Sequence, residues 1–158
     1  QPSVYPKQIA FNVIPQCDIF LDNNFTKEEM KLTWETHKIL DSNIQVQATC
    51  VRVPVFNGHS EAVFFRVSKE ISREEIIKIL DRTPGLKVLD DPSSGDYPTP
   101  FENATDTEDV YVGRIRSQSL DDDCWISMWI VADNVYGKGA ALNAVQICEE
   151  LLNVGSVK

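Results

Sequence analysis

Two Ser/Thr-x-x-Glu boxes set where this chain must turn into helix. Thr26-Lys27-Glu28-Glu29 and Ser72-Arg73-Glu74-Glu75 both have the spacing in which a hydroxyl and a carboxylate satisfy orphan backbone donors at a helix start. The first predicts a helix from about Lys27 to Leu40. The second is followed by Ile76, Ile77, Ile79 and Leu80, an apolar stripe that stops at Thr83-Pro84-Gly85. Between the two, QVQATCVRVPVF puts Val51, Val53 and Val55 on one side and Cys50, Arg52 and Pro54 on the other, which is strand periodicity. Asn57-Gly58 then supplies a turn, and EAVFFRVS a partner strand. DDPSSGDYPTPFENATD reads as a long loop of the functional or interfacial kind. Beyond it, VYVGRIR and CWISMWIVAD read as two more strands, and Gly137-Lys138-Gly139 leads into a helix, AALNAVQICEELL. Strands gathered in pairs between helices make the expected class α+β, a mixed or antiparallel sheet with helices on one face.

A chain of 158 residues, 42% hydrophobic, can bury one core, and a single domain over 1–158 is expected. The net charge of −9 and pI near 4.6 argue against a nucleic-acid partner, because neutralising phosphates needs a surplus of Lys and Arg on some face. No run approaches the roughly 18 to 20 apolar residues that span a bilayer. The start, QPSVYPKQIAFN, lacks the charged-then-apolar pattern of a signal peptide, so a soluble, cytoplasmic protein without a membrane partner is expected. Cys17, Cys50, Cys124 and Cys148 are far apart and form no C-x-x-C pair, which suggests neither a zinc site nor a disulfide framework. Three of them sit in apolar stretches, where a buried thiol is the ordinary outcome. Asn103-Ala104-Thr105 has glycosylation spacing but no secretory context.

Several polar residues invite two readings each. Glu28 and Lys31 lie one helical turn apart, acid beside base. On spacing alone they are a solvated ion pair; alternatively, Glu28 accepts an ammonium while Lys31 attracts a phosphate or carboxylate. Arg52 interrupts an apolar, β-branched run, either as an edge arginine reaching solvent or as a guanidinium fork for a carboxylate. His59 follows the Asn57-Gly58 turn, as a surface histidine or as a proton carrier whose ordinary pKa of about 6.5 suits neutral pH. His37 reads as helix surface or packing. Arg114 and Arg116 alternate along a strand, sharing a polar face or touching a partner subunit. The Trp residues and Tyr97-Pro98 read as core or interface rather than as a nucleic-acid stacking platform. Cys50 near His59 lacks an orienting third group, so a hydrolytic triad is not supported. The chain opens on a Pro-containing extended segment and has no G-x-G-x-x-G phosphate loop.

QIAFNVIPQ, TKEEMK, ETHKIL, ATCVRVPVFNGHSEAV and KGAALNAVQICEELL together resemble the aspartate-semialdehyde dehydrogenase family over nearly the whole chain. Of these, the R-V-P-V-x-x-G-H-S element with E-x-x-K upstream is the most specific. The resemblance implies a glyceraldehyde-3-phosphate-dehydrogenase-like C-terminal domain. It also implies NADP-dependent conversion of L-aspartyl-4-phosphate to L-aspartate 4-semialdehyde and phosphate through a cysteine thioacyl intermediate, at the branch toward lysine, threonine, methionine and diaminopimelate. By motif, His59 becomes the general acid/base, and Arg52, Glu28 and Lys31 bind the substrate α-carboxylate, amino group and phosphate. Asn134, in D-N-V-Y-G-K-G-A-A, matches the position that approaches NADP. None of the four cysteines has the N-C-S/T context of the family's nucleophile. The resemblance therefore implies a substrate-binding and dimerisation part of a homodimer or homotetramer, inactive alone, with the helix over 138–152 packing on a cofactor domain outside the chain. The alternatives are a non-catalytic dimerisation module and, among enzymes, N-acetyl-γ-glutamyl-phosphate reductase. The acylated amino group of the latter's substrate fits poorly with a carboxylate at Glu28.

Overall fold

The computed structural model of the protein describes residues 4–121 and 123–155, so Gln1-Pro2-Ser3 of the expected N-terminal extended segment lie outside the described residues. The chain divides into two compact units, Gln1–Pro54 and Val55–Lys158.

The first unit is organised by helix α1, Lys27–Ile39. Its capping box is complete: the Glu29 amide donates to the Thr26 hydroxyl and the Thr26 amide donates to the Glu29 carboxylate. The alternating run around Arg52 is extended but does not form a strand. Among the described residues its one bridge is Arg52 to Ile14, through two antiparallel backbone hydrogen bonds of 2.8 and 3.0 Å. The expected hairpin about Asn57-Gly58 is therefore absent. Alternation reports an extended chain with two unlike faces but names no ladder partner, and Pro54 has no N–H to give one. His37, read as helix surface or packing, is tied through Nε2 to the Ile44 carbonyl at 2.8 Å.

The second unit is a four-stranded mixed sheet in the order β1-β4-β3-β2, with β1 at His59–Val67, β2 at Leu86–Val88, β3 at Val110–Leu120 and β4 at Asp123–Ala132. β3 and β4 form the expected antiparallel hairpin, β1 adds antiparallel to β4, and β2 adds parallel to β3. Helix α2, Arg73–Asp81, starts at the expected Ser72 capping box and links the two edge strands. Its Ile76 packs with Val112, Ile115 and Ile126 to make the core, bordered by Val67, Leu80, Val88 and Met128. Helix α3, Ala141–Asn153, buries none of its side chains. Away from this core, Phe64 is 68% exposed, and Arg114, Arg116 and Trp129 line shallow clefts beside it.

Strand β3 is not regular, although Arg114 and Arg116 stand exposed on either side of the buried Ile115 and line the same cleft, as their alternation implied. A bulge shifts the register between Gly113 and Arg116, and Arg114 sits at a φ of 55°. The bulge amides of Arg114 and Ile115 both donate to the Asp90 carboxylate, at 2.8 and 2.9 Å. That side chain is 1% exposed and also receives Arg73 Nη2 from α2 at 2.8 Å. Arg73 donates further to the carbonyls of Asp90 and Ile115. The long loop then folds across the sheet, where Trp129 Nε1 donates to the Pro98 carbonyl at 3.0 Å. Gly113 permits that crossing, since a Cβ there would lie 2.3 Å from the Leu89 carbonyl oxygen and 2.5 Å from Pro98 Cδ. Of the cysteines, only Cys124 is buried, whereas Cys148 is exposed on α3 because that helix has no covering element.

Replacing Asp90 by Ala leaves two bulge amides without an acceptor and takes from Arg73 its carboxylate partner. Urea unfolding should register a loss of about 2–4 kcal/mol; a midpoint unchanged from wild type would contradict this role for the carboxylate.

Candidate active site

In the first unit, Glu28 and Lys31 project from the first turns of α1 and meet at 3.1 Å, each side chain 40% exposed. The hydrogen bond and negative charge of Glu28 raise the Lys31 pKa above the usual lysine range, so the ammonium stays charged and suited to an anion. Arg52 is exposed, and its guanidinium carbon lies 5.4 Å from the centre of the Tyr5 ring, a cation–π contact that orients it.

A cysteine that the sequence reading set aside belongs with these groups. Cys17 is half-buried, and Arg52 and Glu28 both lie within Coulombic reach of its sulfur. Burial raises its pKa against the opposing pull of Arg52, which keeps the thiol protonated at neutral pH. The structure thus brings Glu28, Lys31, Arg52 and Cys17 into one polar neighbourhood.

Glu29 holds that neighbourhood in shape. Besides capping α1 through Oε2, it accepts the Cys50 amide through Oε1 at 2.9 Å. The segment carrying Arg52 is thereby tied both to the start of α1 and to Ile14. Its capping role was visible in the Thr26-x-x-Glu29 spacing. The reach to Cys50 was not, because nothing local marks it.

In the second unit, His59 is exposed and opens β1, paired across the ladder with Ala132, the last residue of β4. Asn134 is half-buried in the loop that leaves β4 immediately afterwards. His59 and Asn134 therefore share one end of the sheet. Gly58, just before His59, packs against Pro100 and Ala104 of a single π-helical turn, Pro100–Ala104, an irregularity often found at functional sites. Among the described residues, no group of three or more His, Cys, Asp or Glu could hold a metal ion, and no helix is long and apolar enough to cross a membrane.

Residues 1–136 match the family model described as semialdehyde dehydrogenase, dimerisation domain. The chain belongs to that family. Aspartate-semialdehyde dehydrogenase of Legionella pneumophila is 51% identical over 149 residues, covering 94% of this chain and 42% of that protein. The crystal structure of aspartate semialdehyde dehydrogenase II from Vibrio cholerae, complexed with ASA, superposes with a TM-score of 0.88 at 45% identity, covering 97% of this chain and 44% of that one. The aspartate semialdehyde dehydrogenase of Candida albicans, crystallised with NADP, has a TM-score of 0.72 at 29% identity, covering 94% and 46%. The semialdehyde dehydrogenase dimerisation domain thus accounts for the α+β class, and the chain spans less than half the length of these relatives.

Amides of Thr26 and Cys50, in that order of effect, hold the Glu29 carboxyl below its ordinary value of 4.5. A depressed folded-state pKa contributes stability that is complete above about 4.5 and lost as pH falls through the folded value. Glu29→Gln should cost about 1–3 kcal/mol at neutral pH. Urea melts should show the gap from wild type narrowing in acid, and a gap independent of pH would refute the assignment.

Proposed function

We propose that this chain is the substrate-binding and dimerisation part of an aspartate-semialdehyde dehydrogenase that converts L-aspartyl-4-phosphate to L-aspartate 4-semialdehyde and phosphate. The observation that carries the reading is the Glu28–Lys31 pair beside the tethered Arg52, in a chain 51% identical to an enzyme of that name. An acid and two bases match a substrate bearing an ammonium, a carboxylate and a phosphate. Arg52 offers a planar fork to the α-carboxylate, and Glu28 accepts from the α-ammonium. Lys31 receives the acyl phosphate. Before substrate arrives, Glu28 and Lys31 satisfy one another, and an exposed pair of this kind is worth at most about 1 kcal/mol. Substrate can open it at little cost, exchanging one ion pair for two. The joint result is orientation of the acyl carbon.

His59 holds and moves the proton. Its imidazole takes the proton of the attacking thiol and returns one as the tetrahedral species collapses. None of Cys17, Cys50, Cys124 and Cys148 stands in an N-C-S/T context, so the thiol is assigned to the part of the enzyme outside this chain, and the chain alone to an inactive state.

NADP, when bound, supplies the hydride. The loop after β4 fits such a group: it is polar, glycine-bearing and half-buried at Asn134, at the same sheet end as His59. Helix α3 leaves Val145 and Leu152 exposed on one face and Ile147 and Leu151 on the other, apolar surface suited to packing on a cofactor domain. The exposed sheet face around Phe64 and Trp125 suits self-association into a homodimer or homotetramer. The proposed setting is amino-acid biosynthesis in the cytoplasm.

Two variants of the full-length protein test these roles in the phosphate-dependent reduction of NADP by aspartate semialdehyde. His59→Ala should lower kcat by roughly 10²-fold or more, and normal turnover would remove His59 from the chemistry. Arg52→Lys should act mainly on the KM for aspartate semialdehyde, because a point charge loses the bidentate fork; an unchanged KM would rule out carboxylate binding there.

A further inference from the structure

We propose that Asp133 is a positioning residue whose buried carboxylate sets the cofactor-side loop bearing Asn134 and, through the π-helical turn, the backbone entering His59. Asp133 is 4% exposed. Its Oδ1 accepts the amides of Val135 and Tyr136, both at 2.8 Å, and its Oδ2 accepts the amide of Asp106 at 3.0 Å. The first two bonds curl the loop that starts at Asn134. The third crosses to a segment 27 residues away, which a simple turn-forming aspartate does not do.

That distant segment follows directly on the π-helical turn. Within it, Thr107 Oγ1 donates to the carbonyls of Asn103 and Ala104. The turn in turn abuts Gly58, with Pro100 and Ala104 at 3.3 and 3.6 Å from where a Cβ would stand. From Gly58 the chain enters His59, which pairs with Ala132, the residue before Asp133. The contacts form a closed ring: Asp133, Asp106, the π-helical turn, Gly58, His59, Ala132. One buried carboxylate therefore fixes the relative placement of the two candidate groups at this sheet end. The amides of Tyr136, Val135, Asp106 and Gly137 hold its pKa below the usual range, which keeps it ionised as an acceptor. Gly137 closes the same joint, since a Cβ there would lie 2.8 Å from the Thr107 carbonyl oxygen and 2.9 Å from that of Asp133.

This inference rests on the cofactor role proposed for the Asn134 loop, and the experiment separates the two. Asp133→Asn and Asn134→Ala are made in the full-length protein and compared by steady-state kinetics with NADP and aspartate semialdehyde varied in turn. Asp133→Asn keeps the shape but turns one acceptor into a donor facing an amide. The expected result is a rise of about tenfold or more in the KM for NADP, with the KM for aspartate semialdehyde within about twofold of wild type. Hydrogen exchange at Asp106, Val135 and Tyr136 should quicken together. If Asn134→Ala raises the NADP KM while a folded Asp133→Asn leaves it unchanged, the positioning role is overturned and the cofactor reading stands. If neither variant moves it, both fall. A lowered melting temperature with unchanged constants would make Asp133 merely structural and also overturns the proposal. Should Asp133→Asn not fold, Gly137→Ala opens the same joint with the carboxylate itself retained, and the same selective rise in NADP KM is required of it.

Discussion

The second unit is joined at the buried carboxylate of Asp90. Asp90 binds a helix through Arg73, a strand through the amides of Arg114 and Ile115, and by its own position the start of the long loop after β2. A bulge interrupts the ladder and leaves amides without strand partners, which is tolerable inside a protein only if something else accepts them. Asp90 does so, and the charge this buries is met by a guanidinium from α2. Helix, bulge and loop therefore share one polar joint beneath an otherwise apolar core of Ile76, Val112, Ile115 and Ile126.

Much of this architecture was legible in the sequence because its signals are local. Both capping boxes are where the Thr26 and Ser72 motifs put them, and the apolar stripe of α2, the β3–β4 pair and the closing helix followed from periodicity. The α+β class followed from element order. What failed was partner choice. The run through Arg52 alternates like a strand, yet β1 pairs with β4 and the run, among the described residues, keeps only one bridge to Ile14. Pairing depends on residues far along the chain, and Pro54 already weakened the hairpin reading.

The candidate site divides in the same way. Residue types and motifs pointed to Glu28, Lys31, Arg52, His59 and Asn134, and the Glu28–Lys31 contact follows from helical spacing alone. The residues that shape the surroundings were not visible. Glu29 reaches Cys50 across 21 residues and Asp133 reaches Asp106 across 27, both through side chain to backbone bonds that leave no periodic trace. Asp133 stands next to Asn134 in the same motif. A buried acid flanking a glycine-bearing loop is the one hint that could have been read.

The strand order β1-β4-β3-β2 has a consequence for how the chain reaches this structure. β3 and β4 are joined by a tight connection and can zip on the microsecond timescale typical of hairpins. β1 precedes them in the chain, with α2, β2 and the long loop between it and its partner β4. Closing so large a loop before any contact rewards it is entropically slow, so the topology predicts that β1 docks late in assembly. Because His59 opens that strand, the end of the sheet that carries it is among the last parts to be fixed.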